Sequence, residues 1–323
     1  MTLASLKEIM IRSLTAVAIV AVLAGCSLAA DPPRSEAAVT VGIGDQVPET
    51  FTAPLFQDLG IKRTRTFTAW NVALKEQQAI WFDAWVQGAE AGGVEPLVSF
   101  SQSLGSRCPA RPCKLPTTRE YTRAFRAFRE RWPEIDTISP WNEANHRSQP
   151  TFKNPKRAAQ YYNIVRKYCR GCTIVAADVI DEKNMVKWLT TFKKTAIKPR
   201  IWGLHNYRDT NKRKGQRLGG TKLLLKTVKG KIWLTETGGI VKFVLPDGRT
   251  LFKRSESRAA TALRRMFSLA KANGSRIKRL YIYNWTGGAR RDRFDAGLVS
   301  ATGKARPGYR VVKRMLRSST FNP

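Results

Sequence analysis

Short apolar runs rich in β-branched residues alternate along most of this chain with longer segments in which apolar residues recur every three or four positions. A short run of this kind predicts a strand, and the three-to-four spacing predicts an amphipathic helix. The predicted strands begin near Val39, Lys62, Glu95, Asp136, Thr173, Arg200, Lys231 and Lys278. The pattern therefore predicts eight strands with helices between them.

Helix signals are clearest in four of the intervening segments. These helices are predicted at residues 77–91, after the capping box of Thr117 and Glu120, after Asn154-Pro155, and at 256–272. Trp81 and Trp85 lie at helical spacing in the first of them and are expected to pack against the core. Weaker helical patterns cover residues 54–59, 184–196, 219–228 and 307–316.

Alternating strands and helices in this number fit a (β/α)8 barrel, an α/β fold that commonly takes about 250 residues. The rival is an open, doubly wound sheet with a nucleotide site. Gly42-Ile43-Gly44 lacks the third glycine of the dinucleotide fingerprint, however, and no Walker sequence occurs. The sequence shows neither a repeat of fixed period nor a second domain. We therefore predict a single (β/α)8 TIM barrel over residues 39–323.

The N-terminal segment has the pattern of an export signal: basic residues, a short apolar run and small residues before Cys26. Its Leu-Ala-Gly-Cys ending resembles the bacterial lipobox, which implies a lipid anchor at Cys26 and attachment to the bacterial membrane. The alternative is ordinary cleavage further on, at Ala30 or at Ala37-Ala38. We predict a signal peptide at residues 1–26, a linker at 27–38, and a secreted or membrane-anchored, extracytoplasmic protein.

Four cysteines remain after Cys26, and they form two closely spaced pairs: Cys108 with Cys113, and Cys169 with Cys172. Four thiolates at such spacings could bind zinc. An exported chain meets oxidising conditions, which favour two disulfides instead. Local pairing is the simplest of the three possible connectivities.

The chain carries 57 Lys and Arg against 24 Asp and Glu, a formal net charge of +33. Such a charge favours anionic surroundings, such as acidic cell-wall polymers, lipid headgroups or nucleic acid. Basic residues are densest at 190–230, where Asp209 is the single acid. This segment either contacts an anionic partner or is simply a solvated basic loop. No base-reading motif accompanies the charge, so specific nucleic-acid binding is not expected, and we predict a monomer.

Polar residues follow the predicted strands, and in a barrel the carboxyl ends of all strands converge on one mouth. Glu143 follows the fourth strand and Glu236 follows the seventh. Hydrolysis of a glycosidic bond with retention needs two carboxyl groups about 5–5.5 Å apart, one as nucleophile and one as acid and base. Two glutamates on opposite sides of a barrel mouth can meet this requirement.

The sequences Trp141-Asn142-Glu143 and Thr235-Glu236-Thr237-Gly238 resemble the corresponding strand ends of the clan A retaining glycoside hydrolases, which are (β/α)8 barrels. The resemblance implies that Glu143 is the acid and base and that Glu236 is the nucleophile. It also implies that five residues bind the substrate: Asn142, Arg65 on the second strand, His205 and Tyr207 after the sixth, and Trp285 after the eighth. Many members have proline after the Asn-Glu pair, where this chain has Ala144.

Several assignments remain open at the level of sequence. Arg63 alternates with Arg65, so either side chain could face inward, and His146 is expected to be polar surface. Asp45 and Asp178 are either substrate ligands or groups that bond the strand ends. We expect the negative charge of Glu236 to raise the pKa of Glu143.

The implied reaction needs neither a metal nor another cofactor, and its substrate is an extracellular poly- or oligosaccharide. The alternative is a non-catalytic cell-surface barrel that binds acidic wall polymers or glycans. A gap between the carboxylates well above about 6 Å, or a blocked mouth, favours that alternative.

Overall fold

The computed structural model describes residues 38–212 and 219–323. The predicted signal peptide, the candidate lipidation site Cys26 and nearly all of the predicted linker lie outside these residues, as does the centre of the basic segment, at 213–218. The strands are β1 (Val39–Gly44), β2 (Arg63–Ala69), β3 (Glu95–Ser101), β4 (Thr137–Ser139), β5 (Thr173–Ile180), β6 (Ile201–His205), β7 (Lys231–Thr237), β8 (Lys242–Val244), β9 (Thr250–Phe252), β10 (Ile277–Tyr283), β11 (Phe294–Asp295) and β12 (Phe321–Asn322).

A closed parallel barrel forms the centre of the fold. Strands β1 to β7 pair in sequence order, β10 pairs with β7, and β10 also pairs with β1 to close the ring. The eight barrel strands are those predicted from the sequence, so the (β/α)8 prediction is confirmed. The short strand β12 adds to β1 at Val39, at the end of the barrel opposite the mouth.

Helices cover the outside of the barrel: α1 (Pro54–Gln57), α2 (Glu76–Ala91), α3 (Thr118–Arg131), α4 (Pro155–Tyr168), α5 (Met185–Lys193), α6 (Tyr207–Thr210), α7 (Gly220–Thr227), α8 (Glu256–Ala272) and α9 (Pro307–Met315). The capping box predicted at Thr117 is present, with both of its reciprocal hydrogen bonds to Glu120. Pro155 opens α4 as predicted, but the Asn154 side chain does not cap it.

The barrel interior is built in layers of side chains from neighbouring strands. Leu97, Val175 and Trp233 form an apolar layer with Tyr281, whose ring occupies the space beside Gly42. A side chain at position 42 would collide with that ring, with its Cβ 2.5 Å from a Tyr281 ring carbon. Polar residues form the next layer toward the mouth, and this layer carries the site described below.

A small antiparallel sheet, in which β8 pairs with both β9 and β11, lies beside the barrel mouth. This sheet was not among the elements predicted from the sequence. The two disulfides join Cys108 to Cys113 in the loop after β3, and Cys169 to Cys172 between α4 and β5. This is the local pairing expected, and it rules out a zinc site built from all four thiolates. Among the described residues, none of the helices combines the length and apolar character needed to span a membrane.

Candidate active site

Glu143 and Glu236 face each other across the barrel mouth. Glu236 is the sixth residue of β7, and Glu143 lies four residues beyond the end of β4. One carboxylate oxygen of each glutamate and a ring nitrogen of His205 all lie within 4.8 Å of one another. Glu143 has a φ angle of 44°, in the left-handed region that residues other than glycine rarely adopt. The backbone is therefore strained at the residue that delivers the carboxylate.

Arg65 is the fully buried cation beneath this pair. Its Nη1 donates to Glu236 Oε2 at 2.8 Å, and its Nη2 donates to Asp178 Oδ2 at 3.0 Å and to Asn142 Oδ1. Burial alone would lower the pKa of Arg65, but the charges of Asp178 and Glu236 outweigh it and raise the pKa. Arg63 instead forms a half-exposed salt bridge with Glu95. Of the two arginines left open by the sequence, Arg65 is the one that faces inward.

Asp178 anchors the polar layer from the centre of the barrel. It accepts hydrogen bonds from Ser99 Oγ at 3.1 Å, from Thr235 Oγ1 and from Arg65. Burial by itself raises the pKa of Asp178, but the charges of His205 and Arg65 hold the pKa well below its ordinary value. Asp178 is fully buried, so it supports the site from below and does not reach a ligand in the mouth.

His205 bridges the polar layer and Glu143. Its Nδ1 lies 3.1 Å from Glu143 Oε1 and its Nε2 lies 3.2 Å from Asp178 Oδ1. Burial lowers the pKa of His205, but the charges of Glu236 and Asp178, with hydrogen bonds to Asp178 and Glu143, raise it to about 10. At this pKa the imidazole is protonated at neutral pH and directs one N–H group toward each carboxylate, although Arg65 Nη2 also lies 3.2 Å from Nε2.

This placement corrects two expectations. Arg65 and His205 are both fully buried, so they position the glutamates and do not contact a substrate as the resemblance implied. Burial raises the pKa of Glu143, but the hydrogen bond from His205 and its charge more than compensate, and the pKa is lowered. The expectation of a raised pKa was wrong because it considered only the negative charge of Glu236. In the folded chain the cationic His205 lies against Glu143.

Tyrosines hold and flank Glu236 from above. Tyr207 OH donates to Glu236 Oε1 at 3.0 Å, which leaves both oxygens of that carboxylate hydrogen-bonded. Burial, together with the charge of Glu236, raises the pKa of Tyr207 well above its ordinary value, so the phenol stays a donor. Tyr283, at the end of β10, also lines the mouth. Asn142 lines it as well, so Asn142 and Tyr207 lie where the sequence placed them.

Trp285 is not in the mouth. Its ring is buried and packs edge-to-face against Phe56 at 5.5 Å and Tyr309 at 6.1 Å between ring centres. Its backbone N–H donates to Asp45 Oδ2, which also accepts from Thr286 N–H. The substrate platform inferred at Trp285 is thus contradicted, and Asp45 proves to be a group that bonds strand ends.

His146 lines the mouth, although it was expected to be polar surface. A turn after Glu143, in which His146 N–H donates to Glu143 O, returns the imidazole to the carboxylate. His146 Nδ1 lies 3.9 Å from Glu143 Oε2, and its Nε2 lies 3.6 Å from Glu182 Oε1. His146 therefore contacts the opposite oxygen of the same glutamate that His205 holds from below.

These residues surround an open cavity of about 1120 Å³. The carboxylates and amides lie on its barrel side. The small sheet forms an apolar wall opposite them, made of Phe243, Leu245, Leu251, Phe252 and Phe294. A cavity with polar groups on one side and flat apolar groups on the other suits a molecule with both hydroxyl groups and C–H faces.

The cavity continues into a groove along α2. The groove has a volume of about 480 Å³ and shares Phe67, Ser101 and Gln102 with the main cavity. Trp81 lines this groove with 61% of its surface exposed, whereas Trp85 is buried in the core. The packing role expected of both tryptophans is confirmed for Trp85 and wrong for Trp81.

A metal ion is the other chemical use for two carboxylates and an imidazole so close together. Glu143, His205 and Glu236 offer three ligand atoms. His205 already directs both ring nitrogens at carboxylates, however, and the Arg65 cation occupies the coordinating face of Glu236. Cationic neighbours oppose a second positive charge here, so the arrangement fits paired acids better than a metal centre.

Comparison with known proteins relates the chain to others through its fold. Neither a protein-family model nor a curated protein sequence matches it. Among solved structures, it is similar to xylanase B from Clostridium stercorarium F9, at a TM-score of 0.57 and 11% identity over 85% of this chain and 96% of the other.

Two further structures show the same relation. An endo-1,4-beta-xylanase from Caldicellulosiruptor owensensis superposes at a TM-score of 0.61 and 10% identity, over 86% of this chain and 97% of that enzyme. A beta-glucosidase from Thermotoga maritima, in complex with azafagomine, superposes at a TM-score of 0.54 and 12% identity, over 81% of this chain and 84% of that enzyme. At such identities the likeness shows the fold, and the fold implied by the clan A resemblance is confirmed.

Proposed function

We propose that the protein is a retaining glycoside hydrolase that acts on an extracellular poly- or oligosaccharide. The observation that carries the proposal is the pair of carboxylates, whose nearest oxygens lie within 4.8 Å of each other at an open mouth. Retaining enzymes hold their carboxyl groups about 5–5.5 Å apart, whereas inverting enzymes need about 6.5–9.5 Å to admit a water. A short gap and an open cavity both count against the non-catalytic alternative.

Glu236 has the surroundings of a nucleophile. Arg65 and Tyr207 each donate a hydrogen bond to one of its oxygens, which holds the carboxylate in a fixed orientation toward the mouth. In the proposed first step Glu236 attacks the anomeric carbon and the glycosidic bond breaks as Glu143 protonates the leaving oxygen. In the second, Glu143 removes a proton from water, which displaces Glu236 from the sugar.

The first step needs a proton on Glu143, and the His205 contact supplies it. With His205 protonated, that proton lies on Nδ1, 3.1 Å from Glu143 Oε1. A bound glycan excludes water, and the loss of solvation disfavours the charged pair of imidazolium and carboxylate relative to the neutral pair of imidazole and carboxylic acid. Proton transfer within the hydrogen bond leaves both groups neutral, with Glu143 ready to act as the acid.

The shape of the cavity supports a substrate longer than one sugar. The groove with Trp81 extends it on one side, and indole and phenyl rings offer flat apolar surfaces to the C–H faces of sugars. The two disulfides support action outside the cytoplasm, where such bonds persist. The lipid anchor predicted at Cys26 would then hold the enzyme at the cell surface.

A panel of polysaccharides and aryl glycosides tests the proposal when the wild-type protein and Glu236→Gln are assayed together. We expect at least one substrate to be hydrolysed with retention of anomeric configuration, and Glu236→Gln to lose that activity. Full activity in Glu236→Gln, or an inverted product from the wild type, would overturn the assignment.

A further inference from the structure

A second recess opens from the catalytic cavity on the side of the small sheet. Its volume is about 540 Å³, and it shares His146, Phe243, Leu245 and Phe294 with the main cavity. Since His146 lies 3.9 Å from Glu143 Oε2, the recess begins directly beside the proposed acid. A chain bound across the catalytic cavity can therefore extend into it without leaving the protein surface.

Charge distinguishes this recess from the groove at Trp81. Three arginines line it, Arg147, Arg249 and Arg293, against one carboxylate, Asp247. Asp247 forms a salt bridge with Arg249 at 2.8 Å. Within residues 38–212 and 219–323, neither Arg147 nor Arg293 has a salt-bridge partner. His146 and Arg249, which also line the recess, do have one. Two guanidinium groups at the rim thus remain available for an anion.

The floor of the recess is apolar. Phe243, Val244 and Phe294 come from β8 and β11, and these strands are paired with each other, so the floor is a fixed surface. An apolar floor beneath two cationic groups matches a sugar that presents a C–H face and an acidic substituent. Guanidinium groups bind carboxylate and phosphate through paired hydrogen bonds, which adds direction to the charge attraction.

We propose that Arg147 and Arg293 form a subsite for an anionic substituent, carboxylate or phosphate, on the glycan that the catalytic cavity binds. This inference rests on the proposed function and names the substrate class as an acidic glycan. Glu143 protonates the leaving oxygen, and the recess opens on the side of Glu143. The acidic sugar in the subsite therefore belongs to the part of the glycan that leaves in the first step.

Binding to an oligosaccharide array separates this subsite from the general positive charge of the protein. The array carries uronic-acid and phosphorylated oligosaccharides, each beside its carboxyl-reduced or dephosphorylated counterpart. Glu236→Gln serves as the background, so that bound glycans are not hydrolysed. The test variant adds Arg147→Gln and Arg293→Gln. The matched control adds Arg310→Gln and Arg314→Gln, two exposed arginines of α9 that line neither the cavity nor the recess, which makes the same change in net charge.

We expect the background protein to prefer the acidic member of at least one pair, and the class of that pair identifies the anion. The test variant should bind it about tenfold more weakly, the loss expected for charged hydrogen bonds at a partly exposed site, while the control is unchanged. Equal losses in the test and control variants would overturn the subsite, as would equal binding of the acidic and neutral members.

Catalysis by the Arg147→Gln/Arg293→Gln protein with Glu236 intact supplies a second readout. A neutral aryl glycoside has no acidic group for the recess, so its kcat/KM should match that of the wild type, while KM rises about tenfold for the acidic glycan. If the wild type hydrolyses glycans without any preference for acidic ones, the subsite is refuted and the proposed function stands. Acidic binding that depends on Arg147 and Arg293, without hydrolysis of any glycan, would leave the subsite and remove the proposed function.

Discussion

His205 Nδ1 lies 3.1 Å from Glu143 Oε1, from a ring that is fully buried and that also faces Asp178. The contact joins the charge layer inside the barrel to the carboxylate that reaches the mouth. Glu143 and Glu236 thus lie in different surroundings although they are the same residue type. Glu236 receives hydrogen bonds from Arg65 and Tyr207, whereas Glu143 shares a titratable proton with an imidazole.

The first prediction concerns stability at alkaline pH. The pKa of His205 rises from 6.5 to about 10 on folding. A raised pKa stabilises the folded state fully below pH 6.5, and that contribution is lost as the pH rises toward about 10. In urea titrations, the free energy of unfolding of the wild type should therefore exceed that of His205→Gln most at pH 6, and the difference should shrink by pH 10. A difference that stays constant over this range would contradict the assigned charge of His205.

The second prediction separates the roles of the two glutamates. Glu236→Gly and Glu143→Ala should each lose hydrolysis of aryl glycosides by at least about a thousandfold, because each removes a group that acts in the transition state. Azide should restore turnover in both variants, with an α-glycosyl azide from one and a β-glycosyl azide from the other. In Glu236→Gly azide replaces the missing nucleophile, whereas in Glu143→Ala it attacks the glycosyl-enzyme. NMR of the glycosyl azides identifies the anomers, and the same anomer from both variants would refute the roles.

The third prediction compares two arginines on one strand. Arg65→Met removes the guanidinium that Asp178 and Glu236 share, and removal of one partner from a buried ion pair costs about 3–5 kcal/mol. Arg63→Met breaks a half-exposed bridge to Glu95 and should cost less than about 1 kcal/mol. Denaturant unfolding measures both values. Equal losses would mean that the buried network does not stabilise the barrel.

The fourth prediction tests the groove along α2 with two neighbouring residues. Trp81 lines the groove and Ile80 does not, although 49% of Ile80 is exposed. Trp81→Ala should raise KM for a polysaccharide about tenfold, the loss expected for an aromatic contact of this area, and leave KM for an aryl glycoside unchanged. Ile80→Ala should change neither. If Trp81→Ala leaves polysaccharide KM intact, the groove takes no part in binding.

Much of the fold could be predicted because its signals are local. All eight barrel strands begin within about one residue of their predicted positions, and α8 occupies the predicted residues 256–272. The capping box at Thr117 fixed the start of α3 for the same reason. The small sheet was missed, since β8 and β9 have only three residues each. Pro246-Asp247-Gly248 between two apolar pairs is nevertheless a turn signal that could have revealed it.

The site was harder to predict, because the predictions from the sequence fail where the chain departs from the simple alternation of a strand. Tyr281 and Tyr283 point to the same side of β10, so continued alternation would also turn residue 285 inward. The strand ends at Tyr283, however, and Trp285 turns away into the core. His146 returns to the mouth only through the turn that begins at Glu143. The pKa of Glu143 depends on His205, a contact between residues 62 positions apart in the sequence.

The left-handed backbone of Glu143, with its φ of 44°, means that this position exchanges stability for activity. Glycine adopts such a φ without the Cβ clash that costs other residues about 1–2 kcal/mol. Between the two inactive variants, Glu143→Gly should therefore be more stable than Glu143→Ala by about 1 kcal/mol, measured by denaturant unfolding, although glycine usually destabilises through its freedom in the unfolded chain. The backbone strain can thus be relieved by one substitution, but the resulting barrel lacks its acid.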